Sequence, residues 1–359
     1  MKTPRVSVII DTYNHEKYIE RAVRSVLGQE FPSEEVEIVV VDDGSTDRTP
    51  DILRAFGSNV RVIHKTNGGQ ASAFNVAIPE THAPIVAFLD GDDWWAKSKL
   101  ARVLDTLAHD SKIAAVGHGF YEVLEDAPPV EMVVPEKCVR LDLSSVDAAR
   151  IADPGRTLLG TSRLAVRRSV LNRLGPIPEA LVFCADAPIL TVALAMGGAI
   201  VLDEPLCYYR VHGSSLFAVR ELDEAKLRAK AATQAFLLEY LPKRLAEMGV
   251  APAISEALLE SDRVELERTR AWLGERTRMD AARTELDEFR KSVRGAGARY
   301  ALFKSFATVA ALVLPPARFQ ILREWYGRKN LKRFRDKLAP AEMPAGEALF
   351  RRRPVPRAE

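Results

Sequence analysis

The first third of the chain alternates short apolar runs with polar loops. Val6-Ser7-Val8-Ile9-Ile10 ends in Asp11-Thr12-Tyr13-Asn14, and Glu37-Ile38-Val39-Val40-Val41 ends in Asp42-Asp43-Gly44-Ser45-Thr46-Asp47. Ile85-Val86-Ala87-Phe88-Leu89, preceded by Pro84, ends in Asp90-Gly91-Asp92-Asp93. Continuous, partly β-branched runs of this length predict strands buried on both faces. Thr49-Pro50-Asp51 reads as a helix start: Thr as N-cap, Pro at the first helical position, an acid in the first turn. Strand, polar loop and helix recur at least four times before residue 110. That alternation predicts an α/β fold with a mostly parallel sheet and helices on both faces. Its loops would converge at the carboxyl edge, where open α/β sheets bind ligands.

Beyond residue 120 the pattern changes. Residues 121–160 are interrupted by Pro128-Pro129 and Pro135 and read as a loop with short helices. Ser162 to Val166 predicts a strand, Arg168 to Leu174 a short helix, and Asp186 to Met196 a helix closed by Gly197-Gly198. Ala199 to Leu202 and Leu206 to Val211 predict two more strands. From about Asp223 the chain turns helical, charged and alanine-rich. Leu259, Leu266 and Leu273 are seven apart, as are Met279, Leu286 and Val293, but six residues separate the two series, which breaks heptad continuity. An amphipathic helix packed on the body is favoured over a dimeric coiled coil, and a homodimer through a 256–293 helix stays open. The expected divisions are 1–120 and 121–218 as two halves of one α/β domain, 219–295 as a helical extension, and 296–359 as a basic segment. The end, Arg351 to Pro356, is expected to lack structure.

With 359 residues, 47% of them hydrophobic, the chain can enclose a substantial core. The net charge of +2 hides an asymmetry: residues 290–359 carry +12 and the rest −10. A basic tail on an acidic body suggests attraction to an anionic surface. In the tail, Phe303, Phe306, Val309, Leu312, Val313 and Leu314 precede Pro315-Pro316 and a run of Arg and Lys with Trp325 and Tyr326. This suits a segment lying in the headgroup region of an anionic leaflet, the alternative being packing on the body. Nucleic acid is not an expected partner, because the tail has no zinc-finger pattern and the body would repel a polyanion. Cys138, Cys184 and Cys207 are odd in number and widely spaced, which argues for a reducing compartment. No run reaches 18 apolar residues, and the N-terminus leads straight into a strand. The expectation is a cytoplasmic protein, peripheral at the inner face of the membrane if the tail binds there.

Asp90-Gly91-Asp92-Asp93 places three carboxylates within four residues at a strand's end. Such crowding gains nothing for the fold without a cation, and Asp-x-Asp in a turn suits Mg²⁺ or Mn²⁺, with substrate phosphates completing the shell. Together, Val6 to Asn14, Val41 to Asp47, Asn67-Gly68-Gly69-Gln70-Ala71-Ser72-Ala73-Phe74-Asn75 and Leu89 to Asp93 resemble family 2 glycosyltransferases in order and spacing. The resemblance covers roughly residues 4–215. It implies a GT-A fold and an inverting, metal-dependent enzyme using a nucleotide-sugar donor, a UDP-sugar by preference. The acceptor expected is a glycan or lipid-linked glycan in cell-surface polysaccharide synthesis. The family usually has Pro where Asp11 stands, often a Pro between Trp94 and Leu100, and often Glu where Ala185 stands.

Roles follow residue by residue. Asp92 is the first candidate metal ligand, with Asp90 on the ribose or orienting the metal, and Asp93 behind them or on the sugar. Thr12, Tyr13 and Asn14 offer backbone groups and an aromatic face to a base. Asp43 could accept a base N–H, and the resemblance places the base-binding acid in the Asp42-Asp43 pair, although Asp42 also suits a cap for its own turn. Gly68-Gly69 permits close backbone approach. Gln70 and Asn75 would lie along a helix toward the donor or serve structural hydrogen bonds. The resemblance implies Asp186, opening a helix, as general base, its alternative being a helix cap. Tyr209-Arg210-Val211-His212 resembles the end of the family's catalytic domain, implying His212 on metal or diphosphate and Arg210 on phosphate or a structural acid. His15, His64, His82, His109 and His118 receive no role. Two other functions fit a parallel sheet with metal-bound phosphates. A nucleotidyltransferase is disfavoured by the acidic first loop, which lacks a Gly-rich, basic triphosphate cradle, and a non-catalytic nucleotide-sugar binder is disfavoured by intact acids at 90, 92 and 186.

Overall fold

The computed structural model describes residues 3–125, 127–129, 131–213 and 224–292, and beyond them residues 305, 309–310, 313–315, 318 and 350–355. The chain opens with strand β1 (Val6–Thr12), helix α1 (Ile19–Leu27), β2 (Val36–Asp42), α2 (Thr49–Arg54), β3 (Arg61–His64), α3 (Gln70–Ala77) and β4 (Ile85–Asp90). β3, β2, β1 and β4 lie side by side and parallel. Val8, Ile9, Ile10, Val39, Val40, Val41, Phe88 and Leu89 are fully buried, as continuous apolar runs require of strands covered on both faces. In α1 the buried positions Ile19, Ala22, Val23 and Val26 fall on one helical face. Thr49 begins α2 rather than capping it, and its hydroxyl accepts from the His15 amide, tying the first loop to the second.

The second half departs from simple alternation. β5 (Trp94–Trp95), α4 (Lys99–His109), β6 (Ala115–Leu124), β7 (Glu131–Pro135), β8 (Val139–Leu141), α5 (Val146–Gly155), β9 (Ala165–Arg167), α6 (Arg168–Leu174), α7 (Asp186–Met196) and β10 (Ala199–Val211) follow. β9 joins the parallel half to β6 by antiparallel pairing on both sides. The two strands expected at 199–202 and 206–211 are one, β10, parallel to β6 with its register shifted around Pro205. Two strands, β7 and β8, stand where a loop and short helices were expected. The division at residue 120 falls inside β6.

The helical extension holds α8 (Glu224–Glu247), α9 (Pro252–Leu258), α10 (Glu260–Trp272) and α11 (Arg278–Ser292). The single helix expected over 256–293 is therefore three. Breaks fall at Leu259 and at Gly274, whose φ of +77° ends the run after α10. Leu259 and Leu266 turn inward, whereas Met279, which opens the second series, is 67% exposed, and Val293, which closes it, lies outside the described residues. Leu237, Leu241, Leu245, Leu258 and Leu259 join the same apolar core as the sheet. α7, sandwiched between α6 and α8, is buried along Pro188 to Leu194.

Among the described residues no helix is long and apolar enough to cross a membrane. The membrane-surface segment read at 300–335 lies almost wholly outside them, as does the 218 boundary. One expectation at the far end is overturned: Phe350–Pro354 forms β11, antiparallel to β7, where no structure was expected. An edge strand with unpaired backbone groups gave this segment a ladder to join.

Candidate functional site

The parallel register brings the loops together. Asp11 pairs with Asp90 across β1 and β4, and Thr12 with Asp42 across β1 and β2. The acidic turn is then fixed by backbone bonds, Gly91 N–H to the Asp11 carbonyl (2.9 Å) and Asp93 N–H to the Asp90 carbonyl (3.1 Å). Each acid leaves it in a different direction.

Asp92 Oδ2 lies 3.0 Å from His212 Nε2, and both groups are largely buried. Asp93 Oδ1 accepts from the Arg210 amide (2.8 Å), while its Oδ2 is buried without a hydrogen bond. The Arg210 side chain, 2% exposed, donates from Nε to the Asp92 carbonyl (2.8 Å) and from a terminal nitrogen to the Glu125 carbonyl (3.2 Å). Its guanidinium also lies over the rings of Tyr18 and Trp94. Arg210 thus braces the turn through backbone carbonyls, whereas its sequence readings were phosphate or a structural acid.

Asp90 belongs to a second network. Its Oδ1 accepts from Gln70 Nε2 (2.9 Å) and its Oδ2 from the Ser162 hydroxyl (3.0 Å). Gln70 also donates to the Thr161 hydroxyl (3.3 Å) and accepts from the Ala185 amide (3.0 Å). Thr161 N–H donates to Asp186 Oδ2 (2.9 Å). Asp90, Gln70, Thr161, Ser162 and Asp186 therefore form one connected group, in which Asp186 opens α7 within its first turn. Sequence reasoning named Asp90, Gln70 and Asp186 separately and missed Thr161 and Ser162, which join them. Residues 162–166 read as one strand, but Thr161–Arg163 is a single helical turn and β9 starts at Ala165. A Gly-Thr-Ser triplet before an apolar run was the available signal.

The first two loops are stitched to each other. Asn14, at φ +54°, donates from its amide to the Ser45 hydroxyl (2.9 Å) and accepts at Oδ1 from the Thr46 amide (2.8 Å). Asp42 Oδ1 caps the Ser45 amide (3.0 Å) and its Oδ2 meets His64 (3.0 Å). Asp43 pairs with Lys65 (2.5 Å) and accepts from the amides of Gly68 (3.0 Å) and Gly69 (2.7 Å). Gly69 has φ +82°, and a Cβ there would lie 2.8 Å from the Val182 backbone. Thr12 is buried against His15 (3.2 Å), whereas Tyr13 is 45% exposed at the rim. Asn75 stands apart: both ends of its amide bind the Ile177 backbone at 2.8 Å, so it is not brought to this group.

Burial sets the electrostatics. Burial, reinforced by the charge of Asp92, pushes Asp11 up to about 8 and Asp93 up to about 7. Asp90 rises well above the usual range through burial and then Asp11 and Asp93. Burial alone would raise Asp92 too, but its bond to His212 and the nearby His15 hold it below the ordinary value. Asp186 is raised by burial, against the opposing Thr161 amide and Arg163. Of these five buried acids, Asp92 is the one whose pKa is lowered and not raised.

Among the described residues no three His, Cys, Asp or Glu side chains converge as a cation cage. Asp92 and His212 supply two donor atoms, a partial set that fits Mg²⁺ or Mn²⁺ when substrate phosphate oxygens and water complete the shell. Asp90, expected beside them, is committed to Gln70 and Ser162.

The family model for glycosyl transferase family 2 matches residues 7–173. An uncharacterized glycosyltransferase of Nostoc sp. is 34% identical over 223 residues, covering 59% of this chain and 66% of its own length. The uncharacterized glycosyltransferase EpsJ of Bacillus subtilis is 29% identical over 221 residues, or 59% of this chain and 63% of EpsJ. The chain thus spans just under two thirds of these relatives. The putative teichuronic acid biosynthesis glycosyltransferase TuaG of Bacillus subtilis is 38% identical over 135 residues, 36% of this chain and 52% of TuaG. Among solved structures, Staphylococcus aureus TarS 1-349 in complex with UDP-GlcNAc matches with a TM-score of 0.54 and 19% identity, covering 89% of this chain and 92% of that one. That likeness is one of fold.

Proposed function

We propose, from the premise that residues 7–173 belong to glycosyl transferase family 2, that this protein moves a sugar from a nucleotide-diphospho-sugar to an acceptor hydroxyl with inversion at the anomeric carbon. The observation that carries the reading is the connected group Asp90, Gln70, Thr161, Ser162 and Asp186, which sets a donor-side acid and a candidate base in one hydrogen-bonded frame.

In this reading the first two loops, with Thr12, Tyr13, Asn14, Asp42 and Asp43, receive the nucleoside. Tyr13 offers its exposed ring face. Asp43, already holding Lys65 and two amides, shapes the pocket wall. Asp90 orients the ribose or sugar. Asp92 and His212 would hold Mn²⁺ or Mg²⁺, which when bound would supply positive charge to offset that of a leaving diphosphate. Asp186 takes the acceptor proton as the hydroxyl attacks. Its raised pKa suits it to that task, because a base works best when its pKa approaches the working pH. In this reading the donor is a UDP-sugar and the acceptor a cell-surface or lipid-linked glycan, and the names of two relatives support a cell-surface polymer as acceptor. One is TuaG, and another is the poly(ribitol-phosphate) beta-N-acetylglucosaminyltransferase TarS of Staphylococcus aureus, 40% identical over 100 residues.

A panel of nucleotide sugars with Mn²⁺ or Mg²⁺ tests the reading. A bound donor should raise the melting temperature by mass action, acceptor should provoke release of nucleoside diphosphate, and NMR should show an inverted linkage. Pyrophosphate release would instead indicate a nucleotidyltransferase. Donor binding without turnover on any acceptor would favour a non-catalytic binder.

A further inference from the structure

Thr161 and Ser162, which hold Asp186 and Asp90, sit at the end of a segment whose other end is fastened to the helical extension. Asp153, in α5, accepts at Oδ2 from the Ser261 amide of α10 (2.9 Å). Arg156 donates to Asp153 Oδ1 and to Asp262 Oδ2, both at 2.8 Å. The Arg156 side chain is 12% exposed and that of Asp153 6%. An ion pair this sheltered is little screened, and breaking it leaves an unpaired charge. Past Arg156 the chain makes one tight helical turn, with Leu158 and Leu159 fully buried, and reaches Gly160. There the Ser162 carbonyl accepts from the buried Lys99 Nζ (2.8 Å) and from the Trp95 indole (2.9 Å). The segment is pinned at both ends and in the middle.

We propose that residues 153–162 form a strut that positions the Asp186 and Asp90 carboxylates relative to each other, and that α10 sets the strut through Asp262 and Ser261. The helical extension then takes part in turnover without touching substrate. This rests on the reading of Asp186 and Asp90 as acceptor-side and donor-side acids. Asp262 is a positioning residue: it acts through Arg156, about six residues from the hydroxyl and amide that meet the acids. A small displacement of a base from its hydrogen-bonded proton lowers the rate of transfer steeply, while donor contacts made by the first two loops are left in place.

The experiment uses the full chain and the donor on which the wild type turns over. Asp262→Ala should lower kcat about tenfold with donor KM held within about twofold, and Asp262→Glu should recover most of the loss. Asp262→Asn, which keeps the volume and removes the charge, carries the same expectation and decides the matter if the Ala variant does not fold. Wild-type kcat in a folded Asp262→Ala or Asp262→Asn variant overturns the strut. So does a loss spread over both kcat and donor KM, since that marks general loosening of the site. A wild type that transfers no sugar to any acceptor fails the functional reading instead, before the variants are compared.

Discussion

The crevice at the carboxyl edge of the sheet and the helical extension are both rich in charge, and they use it in opposite ways. In the crevice Asp11, Asp90, Asp92, Asp93 and Asp186 sit close enough to shift one another's protonation. In the extension, pairs such as Arg228 with Glu224 and Lys243 with Glu239 lie on exposed helix faces at i,i+4 spacing. Buried like charges oppose folding, so a chain that retains them has a use for the charge itself. Exposed pairs gain little from each other and are screened by salt. The contrast predicts that substitutions of crevice carboxylates change turnover more than stability, and substitutions of exposed charges in the extension change neither. Arg268 with Glu285 is a sheltered pair within the extension, and Arg156 with Asp262 links the two regions.

The largest effect should come from Asp92→Asn. It removes the carboxylate of the Asp92 and His212 pair and leaves the Arg210 brace, which holds the Asp92 carbonyl rather than its carboxylate. Transfer should fall on the order of 10³-fold or more, with divalent-ion dependence abolished and the melting temperature near that of the wild type. Full activity in excess chelator would remove Asp92 from this role and blunt the contrast.

Asp186→Asn comes next. Transfer should drop at least ~10²-fold with donor affinity nearly unchanged. The pH profile sharpens the test. Burial raises the Asp186 pKa, so the working ionised form is lost as pH falls through a value above the ordinary carboxylate range. The acid limb of kcat/KM should therefore lie above about 4, with rate falling as pH drops. A limb at the ordinary value, or donor binding that collapses in the Asn variant, would assign Asp186 to another task.

Gly69→Ala should act on stability first. Its φ of +82° disfavours a side chain, and the new Cβ would press on the Val182 backbone at 2.8 Å. A cost of roughly 1–3 kcal/mol is expected by denaturant titration. Val182 lies four residues before Asp186, so transfer should also decline. Unchanged stability would show that the 182–186 loop yields easily, and that the crevice is less rigidly built than its hydrogen bonds suggest.

The regions also differed in how far they could be read from sequence. β1, β2 and β4 were legible because strands covered on both faces need unbroken apolar runs, and α6 and α7 because Gly175 and Gly197 close them. β7 and β8 were not, since partners β6 and β10 decide their pairing while Pro128, Pro129 and Pro135 dominate the local pattern. At the site, the acids were legible as a cluster, but their division of labour was not. Asp90 turned to Gln70 and Ser162 because residue 162, 72 positions away in sequence, arrives on the turn before β9, the strand beside β4. Asn75 matched a motif, yet its neighbour in space is the Ile177 backbone. In the extension, the leucine spacing was real, but Gly274 and the break at Leu259 divided the helix it suggested.

The smallest effect is expected from Lys243→Ala, and its smallness is informative. Lys243 Nζ lies 2.7 Å from Glu239 Oε1, a bond as short as many in the crevice. The two side chains are 69% and 74% exposed, however, so water already solvates both charges and the pair adds little to what hydration provides. Melting temperature, donor KM and kcat should all match the wild type, at low salt and at high. Arg156→Ala in the same assay should lower kcat, because Arg156 and its partner Asp153 are sheltered, its second partner Asp262 is only 30% exposed, and Asp153 belongs to the strut. If Lys243→Ala impaired transfer as much as Arg156→Ala, distance and hydrogen-bond length rather than burial would govern charge in this protein, and the distinction between the two regions would collapse.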